Sequence, residues 1–398
     1  MEKKNFVQDA MQEVESLLKN AFAAAMQQGK LPENELPAFT VEIPAETTHG
    51  DFASNAAMVS ARTFRMAPVK IANILAECID CASARYIDRV EIAGPGFINF
   101  FVSDAWFASI VSGVLEAGEE YGRSDIGKGE KVMVEFVSAN PTGPMHMGNA
   151  RGGAIGDCLA AALDACGYDV TREFYINDAG NQIEKFGLSL EARYLQIYKG
   201  EDAVPFPEDG YHGEDIKERA QQYADEHGDC LLNLSEAERR QALVDFALPK
   251  NIEKLRTDLE KYRITYDVWF PESTLHQSGA VKAVVDELTS RGMTYEKDGA
   301  IWYKATEFGG EKDEVLVRAN GNPTYFTADI AYHKNKFVDR HFERVINVWG
   351  ADHHGHVARL KGAMDAIGLD GSKLDIVLMQ LVRLMKDGEP YRMSKRTG

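Results

Sequence analysis

The sequence predicts an α/β protein whose main domain is built on a parallel β-sheet. From Val132 to Asp178 an apolar run is followed by an irregular loop, a helical segment and a second apolar run. Strand, loop, helix and strand in this order form a βαβ unit, and such units build parallel sheets. The stretch from Arg344 to Val382 repeats the same order. Two such units indicate one doubly covered parallel sheet.

Whole-chain composition narrows the class of protein. With 398 residues, 44% of them apolar and 27% charged, the chain has room for two or three globular domains. No apolar run is long enough to span a bilayer, and the N-terminal residues carry scattered charges that do not fit a secretory signal. The net charge of −18 argues against a protein that coats nucleic acid, but leaves a local basic patch possible.

Cysteine usage points to the cytoplasm. Five cysteines, an odd number in a chain without a signal, are typical of a reducing compartment. Cys78 and Cys81 form a CxxC pair, but they lie in a helical run and no second pair follows at zinc-finger spacing. We therefore interpret this pair as part of a helix face.

The first 105 residues are predicted to form a small α+β domain, which precedes a linker at residues 106–130. An amphipathic helix, a short strand, two further helices and a pair of strands are expected at residues 6–28, 40–43, 55–65, 68–79, 90–93 and 97–102. Within the linker, Gly122 to Lys128 matches the first seven positions of a P-loop. The next residue is Gly129, so the hydroxyl that would bind magnesium is missing and we reject that interpretation.

Residues 131–398 are predicted to form the parallel-sheet domain. A charged helical segment at about 185–270 interrupts it as an insertion, and strands are expected again after Gly299. We expect Thr324 to Thr327 to be a strand, followed by a helix from about Asp329. The chain ends in the basic, glycine-terminated stretch Arg392–Gly398, from which we expect the sequence to be a fragment.

Three features carry the predicted chemistry. The loop Pro144–Asn149 lies between a strand and a helix N-terminus, where a phosphate chain can bind, although its histidine could equally cap the helix. Lys395 is suited to stabilising a leaving pyrophosphate. The alternative is that this basic stretch is simply a solvated tail. Tyr325 and Asp329 together suit the binding of a guanidinium group. The alternative is that the tyrosine packs in the core and the aspartate caps its helix.

These residues are identified as a match to a known family. The loop Pro144–Asn149 and the stretch Arg392–Lys395 resemble the HIGH and KMSK signatures of class I aminoacyl-tRNA synthetases. Longer strings across the whole chain resemble arginyl-tRNA synthetases specifically, namely Val134–Asn149, Tyr325–His333, Gly350–His356, His49–Phe52 and Gly94–Asn99. The resemblance implies a Rossmann-type catalytic domain with HIGH and KMSK-like loops and a helical insertion, preceded by a tRNA-binding N-terminal domain.

The resemblance also implies the reaction and its residues. L-arginine and ATP would form arginyl-adenylate, and the arginyl group would pass to the terminal adenosine of tRNA(Arg). His146, Asn149 and Lys395 would be catalytic. ATP would be bound by Pro144, His146, Gly148, Asn149, Arg392, Ser394 and Lys395, and arginine by Glu135, Ser138, Asn140, Tyr325, Asp329, Asp352 and His353. Mg²⁺ would accompany ATP, with no tightly bound cofactor, no metal site and no membrane contact, and the enzyme would be a monomer.

The chain departs from the family pattern at three places. Asn149 replaces the second histidine of the HIGH signature, and Arg392 replaces the first lysine of KMSK. The helical anticodon-binding domain of the family is not present in these 398 residues. The alternatives are therefore a catalytically impaired fragment, a tRNA-binding paralogue or a related HIGH-type nucleotidyl transferase. A zinc site at His353, His354 and His356 is disfavoured, because adjacent histidines on a strand would point to opposite faces.

Overall fold

The computed structural model describes residues 5–380, 382 and 384–391. The chain divides into two compact units, Met1–Ser124 and Asp125–Gly398. Within the described residues, none of the helices combines the length and apolarity that a membrane span needs. The stretch Arg392–Gly398, with its predicted phosphate-binding residues, lies outside the described residues.

The first unit has the α+β architecture that the sequence predicts. Its sheet is antiparallel, with strand order β1-β2-β4-β3. The long first helix buries one side against the sheet and the next two helices, because its apolar residues recur at helical spacing. The elements are α1 (Phe6–Gln27), β1 (Val41–Glu42), β2 (Phe52–Ser54), α2 (Ala56–Phe64), α3 (Pro68–Cys78), β3 (Ile87–Ala93), β4 (Phe97–Val102) and α4 (Asp104–Ala117).

The second unit is organised around a parallel sheet, as the sequence predicts. Five strands lie in the order β12-β11-β5-β6-β7, and all their neighbours run parallel. From β5 the sheet continues through β6 and β7 on one side and through β11 and β12 on the other. The loops that follow β5 and β11 therefore run in opposite directions and leave a crevice between them. The strands are β5 (Lys131–Glu135), β6 (Asp169–Ile176), β7 (Val268–Pro271), β11 (Arg344–Gly350) and β12 (Leu374–Met379).

Helices cover both faces of this sheet. On one face, α5 and α8 pack over Val134, Phe136 and Phe174; on the other, α10 to α12 pack over Met133 and Val345. Alternate residues of each strand therefore supply the two cores. The helices that follow β5 are α5 (Met147–Ala165), α6 (Asn181–Lys199), α7 (Glu214–His227), α8 (Glu236–Lys261), α9 (Ser273–Gln277), α10 (Ala280–Ser290), α11 (Tyr325–Lys334) and α12 (His354–Ala366).

The predicted insertion is present as a helical subdomain. Helices α6, α7 and the first half of α8 share their own apolar core. A three-stranded antiparallel sheet, β10-β9-β8, precedes α11, and a hairpin turns at Asp387-Gly388. The remaining strands are β8 (Thr294–Lys297), β9 (Ala300–Tyr303), β10 (Glu314–Val317), β13 (Leu384–Lys386) and β14 (Glu389–Tyr391).

One predicted element is wrong: Thr324 to Thr327 is not a strand. Thr324 alone is extended, donating its amide to the Leu316 carbonyl at 2.8 Å, and helix α11 begins at Tyr325. β-branched and aromatic residues favour strands on average, but here they pack α11 against the apolar core. The consequence is that Tyr325 and Asp329 lie one turn apart on the same helix face.

A row of polar side chains crosses the sheet interior. Asn347 of β11 is paired in register with Glu135 of β5, which is paired with Glu173 of β6. All three residues are buried. Because buried carboxylates need compensating charge or hydrogen bonds, this row requires partners from the helical layer above it.

Close packing of α5 on β5 positions the loop between them. A Cβ atom on Gly156 would lie 2.1 Å from Cγ of Phe136, well inside van der Waals contact. Only glycine lets the helix approach the strand this closely.

We predict that Gly156→Ala lowers the free energy of unfolding by about 1–3 kcal/mol, because the methyl group overpacks the contact with Phe136. Gly355→Ala, on α12, is the matched control, since a Cβ there would meet none of the described atoms within 4 Å. It should change stability by less than about 1 kcal/mol, in the stabilising direction. Urea unfolding of both variants measures the difference, and equal effects would contradict the packing argument.

Candidate functional site

A cavity of about 920 Å³ opens at the carboxyl end of the parallel sheet. Residues that follow β5, β6 and β11 line it, together with the first turns of α11 and α12. This is the place where ligands bind in doubly wound α/β domains. Six of the seven predicted arginine-binding residues line the cavity, namely Glu135, Ser138, Asn140, Tyr325, Asp329 and His353.

The wall after β5 is a strained turn. Val137 and Ser138 both have positive φ angles, of 67° and 41°, a rare conformation for residues other than glycine and costly for a β-branched valine. The Ser138 hydroxyl donates to Glu135 Oε1 at 3.0 Å and accepts from the Tyr175 amide at 3.1 Å. These two bonds hold the turn against the neighbouring strand.

The HIGH-like loop ends at the N-terminus of α5. Asn149 Oδ1 accepts from the His146 amide at 3.1 Å, so Asn149 caps the first turn, and both residues line the cavity. Pro144 and Gly148 are not among the lining residues. The positive end of the α5 dipole therefore faces the cavity, which favours an anionic group there.

Helix α11 supplies an aromatic ring and a carboxylate. Tyr325 is partly exposed to the cavity, and Asp329 follows one turn later. Asp329 Oδ2 lies 2.9 Å from Nε2 of His356. The other ring nitrogen, Nδ1, accepts from Nε of Arg359 at 2.8 Å, and Arg359 in turn pairs with Glu314. Arg359 thereby determines that His356 carries its proton on Nε2 and donates it to Asp329.

Sequence reasoning missed a second carboxylate, Glu272. It follows β7, is only 4% exposed and lines the same cavity as Asp329. Burial raises the pKa of Glu272 and the charge of Asp329 acts in the same direction, whereas His276 and Tyr175 oppose the rise. A buried carboxylate in a cleft is a typical sign of a functional group. Its sequence neighbours, Pro271-Glu-Ser-Thr, show no motif that could have revealed it.

The helical insertion also reaches the cavity. Gln182, at the start of α6, and Tyr211, in the loop before α7, are lining residues. Gln182 Oε1 and Thr142 Oγ1 are buried and have no hydrogen-bond partner among the described residues. Both residues line the cavity, so these unsatisfied polar atoms are groups that a polar ligand can satisfy.

Some predicted residues are not brought to the cavity. Asp352 does not line it, and its side chain is 63% exposed. Arg392, Ser394 and Lys395 lie outside the described residues. The expectation that these histidines lie on a strand is wrong, because His354 and His356 lie on α12. Across the described part of the chain, no group of three or more His, Cys, Asp or Glu side chains is arranged to hold a metal ion.

Comparison with known proteins identifies the family. The model of the class I tRNA synthetase (R) catalytic domain matches residues 110–398, and that of the arginyl-tRNA synthetase N-terminal domain matches residues 12–102. The chain belongs to the arginyl-tRNA synthetase family. The predicted family, fold class and enzyme class, an aminoacyl-tRNA synthetase, are therefore confirmed, and synthetases of this class use ATP.

Individual relatives agree with this assignment. The chain is 58% identical to the arginine–tRNA ligase of Acetivibrio thermocellus over 394 residues, and 58% identical to that of Caldanaerobacter subterraneus over 394 residues. In both cases the matched region is 99% of this chain and 70% of the relative. A solved Campylobacter jejuni structure bearing the arginyl-tRNA synthetase name is 37% identical with a TM-score of 0.67; the match covers 73% of this chain and 63% of that one.

The proton positions of two histidines are testable. His356 should carry its proton on Nε2, whereas His333 should carry it on Nδ1, because that nitrogen faces the Asp329 carbonyl oxygen at 2.7 Å. We predict that long-range ¹H–¹⁵N spectra at neutral pH show these two opposite tautomers. Arg359→Met should convert His356 to a mixture and leave His333 unchanged. The same tautomer at both rings would contradict the assigned hydrogen bonds.

Proposed function

We propose that this chain is an arginine–tRNA ligase. It joins L-arginine to AMP with release of pyrophosphate and then passes the arginyl group to the 3′-terminal adenosine of tRNA(Arg). The observation that carries the proposal is the cavity at the carboxyl end of the sheet, which has paired carboxylates and an aromatic ring on one side and a helix N-terminus on the other. This arrangement matches a ligand that is cationic at one end and reacts with a polyphosphate at the other.

The carboxylates suit the guanidinium group of arginine. Asp329 and Glu272 both line the cavity with carboxylate oxygens, and Tyr325 adds an aromatic ring to the same lining. A planar guanidinium binds carboxylates through paired hydrogen bonds and stacks on aromatic rings, so it gains from all three groups. A lysine ammonium lacks the planar fork, and citrulline lacks the charge. We therefore propose that Asp329, Glu272 and Tyr325 select arginine.

The wall after β5 suits the other end of the amino acid. Ser138 and Asn140 lie in the loop between β5 and α5, and both line the cavity. We propose that this wall holds the α-amino and α-carboxylate groups of arginine, with Glu135 beside them, and that His353 lies near the same substrates. The α-carboxylate would thus point toward His146 and Asn149, where the phosphates of ATP are expected.

The proposed chemistry is an in-line displacement at phosphorus. A carboxylate oxygen of arginine attacks the α-phosphorus of ATP, the bond to the β-phosphate oxygen breaks, and pyrophosphate leaves with that electron pair. His146 and the N-terminal amides of α5 would stabilise charge that develops on the α-phosphate. From the sequence, Lys395, with Arg392 and Ser394, would hold the leaving pyrophosphate. Magnesium would enter as the ATP complex and neutralise phosphate charge.

We further propose the setting of the reaction from sequence features. The odd cysteine count favours a reducing compartment such as the cytoplasm, and the first unit favours contact with tRNA through its family resemblance. A monomer is expected. Because family members usually need bound tRNA to activate arginine, assays of activation should include tRNA(Arg).

The first test is amino-acid-dependent ATP–pyrophosphate exchange in the presence of tRNA(Arg). Arginine should support exchange, whereas lysine and citrulline should not. Asp329→Asn should lower kcat/KM for arginine by roughly 10-fold to 100-fold, because a charged hydrogen bond to the guanidinium contributes about 1.5–3 kcal/mol. Asp286→Asn, which changes an exposed carboxylate on α10 that does not line the cavity, is the matched control and should stay near the unsubstituted activity. Exchange with another amino acid but never arginine would contradict the proposed function.

The second test uses pH. A raised pKa means that Glu272 takes up a proton at a higher pH than an ordinary carboxylate, and a protonated Glu272 attracts a guanidinium less strongly. The dissociation constant of arginine should therefore increase as the pH falls, and the increase should begin at a higher pH than an ordinary carboxylate would cause. Calorimetric titration of arginine at a series of decreasing pH values measures it.

Glu272→Gln is the control for this pH effect. It should bind arginine more weakly at pH 8 and lose most of the pH dependence, because its amide does not titrate. A pH dependence that is the same in both proteins would rule out Glu272 as its source.

A further inference from the structure

Lys336 is a fully buried lysine directly beneath the wall of the cavity. It lies in the turn of π-helix at Asn335–Asp339 that follows α11 and has no exposed surface. Its Nζ atom donates to Glu135 Oε2 at 2.6 Å and to Asn347 Oδ1 at 3.2 Å, and lies 4.0 Å from the centre of the Tyr332 ring. The ammonium therefore has a partner for each of its three protons.

The first of these contacts leads to the wall after β5. Lys336 fixes Glu135 Oε2, while Glu135 Oε1 accepts from the Ser138 hydroxyl. Ser138 is the second residue of the strained turn, and these bonds oppose the strain of its positive φ angle. The charge of Lys336 thus supports the geometry of the turn through one carboxylate.

The second contact leads to helix α11. Lys336 has only donors, so Asn347 must turn its oxygen toward Lys336 and its NH₂ group toward Nε2 of His333, 2.8 Å away. His333 then carries its proton on Nδ1 and donates it to the carbonyl oxygen of Asp329. Burial lowers the pKa of His333 well below its usual value, which keeps the ring neutral and this direction fixed.

The geometry points to Lys336 as a positioning residue that sets the separation between the Ser138 wall and the Asp329 wall of the cavity. Lys336 does not line the cavity itself. It acts through Glu135 on one side and through Asn347 and His333 on the other. The inference rests on the proposed function, since the two walls are those assigned to the α-amino end and the guanidinium end of arginine. A fixed separation selects one side-chain length.

Arg340 provides a matched control. It comes from the end of the same turn and pairs at 2.5 Å with Glu173, the neighbouring carboxylate of the polar row. Neither Arg340 nor Glu173 lines the cavity. Replacing Arg340 also leaves a buried carboxylate without its cation, as replacing Lys336 does. It should therefore destabilise the fold in the same way, but it should not change the separation of the walls.

The experiment compares Lys336→Gln with Arg340→Gln in calorimetric titrations of arginine, homoarginine and ATP. Lys336→Gln should raise the dissociation constant of arginine by roughly 10-fold to 100-fold and change that of ATP by less than about twofold. Discrimination between arginine and homoarginine, which is one methylene longer, should fall. Lys336→Arg, which keeps the charge, should recover most of the affinity. Arg340→Gln should lower the unfolding temperature without these changes.

The outcomes separate the two proposals. If the unsubstituted chain binds neither arginine nor homoarginine, the proposed function fails before Lys336 is tested. If it binds both equally well, the fixed separation of the walls is overturned and the proposed function is not. If it prefers arginine and Lys336→Gln behaves like Arg340→Gln, the positioning role is overturned. Should Lys336→Gln not fold, Asn347→Ala keeps the ion pair but cuts the link to His333. Asn347→Ala should then weaken arginine binding and leave ATP binding unchanged. An unchanged affinity for arginine would overturn the inference.

Discussion

The ion pair between Lys336 and Glu135 is the interaction on which the site depends. Parallel register brings Asn347, Glu135 and Glu173 into one row across the sheet, at the edge where the cavity opens. Two buried carboxylates in adjacent strands would repel each other and lack solvation. The turn after α11 resolves this by inserting Lys336 and Arg340, which balance the two charges.

This solution has a structural consequence beyond charge balance. Replacing a buried ion pair with apolar residues often costs no stability, and in some proteins such a pair instead specifies one conformation. Here the pair connects the strained turn at Val137–Ser138 to the helix that carries Asp329. The walls of the cavity are therefore held by directional bonds that allow one arrangement, whereas apolar packing alone would tolerate several.

Charge is distributed along the cavity in a way that suits two different groups. Asp329 and Glu272 concentrate negative charge on one side, and the N-terminus of α5 directs backbone amides to the other. A carboxylate at a phosphate subsite would repel ATP, and a helix N-terminus at the guanidinium subsite would repel arginine. Under the proposed function, keeping the two ends apart would let one cavity of about 920 Å³ hold both substrates.

Local patterns in the sequence were sufficient to predict the βαβ units, the helical insertion and the family, because these depend on periodicity and on short contiguous motifs. Tertiary structure alone decided the rest. Tyr325 starts a helix because the core favours it there, against its strand-like neighbours. Glu272, Lys336 and Asn347 join the site through strand register and a turn of π-helix, which bring together residues far apart in the chain. Such contacts leave no local pattern, since the physical cause is the meeting of side chains from separate elements.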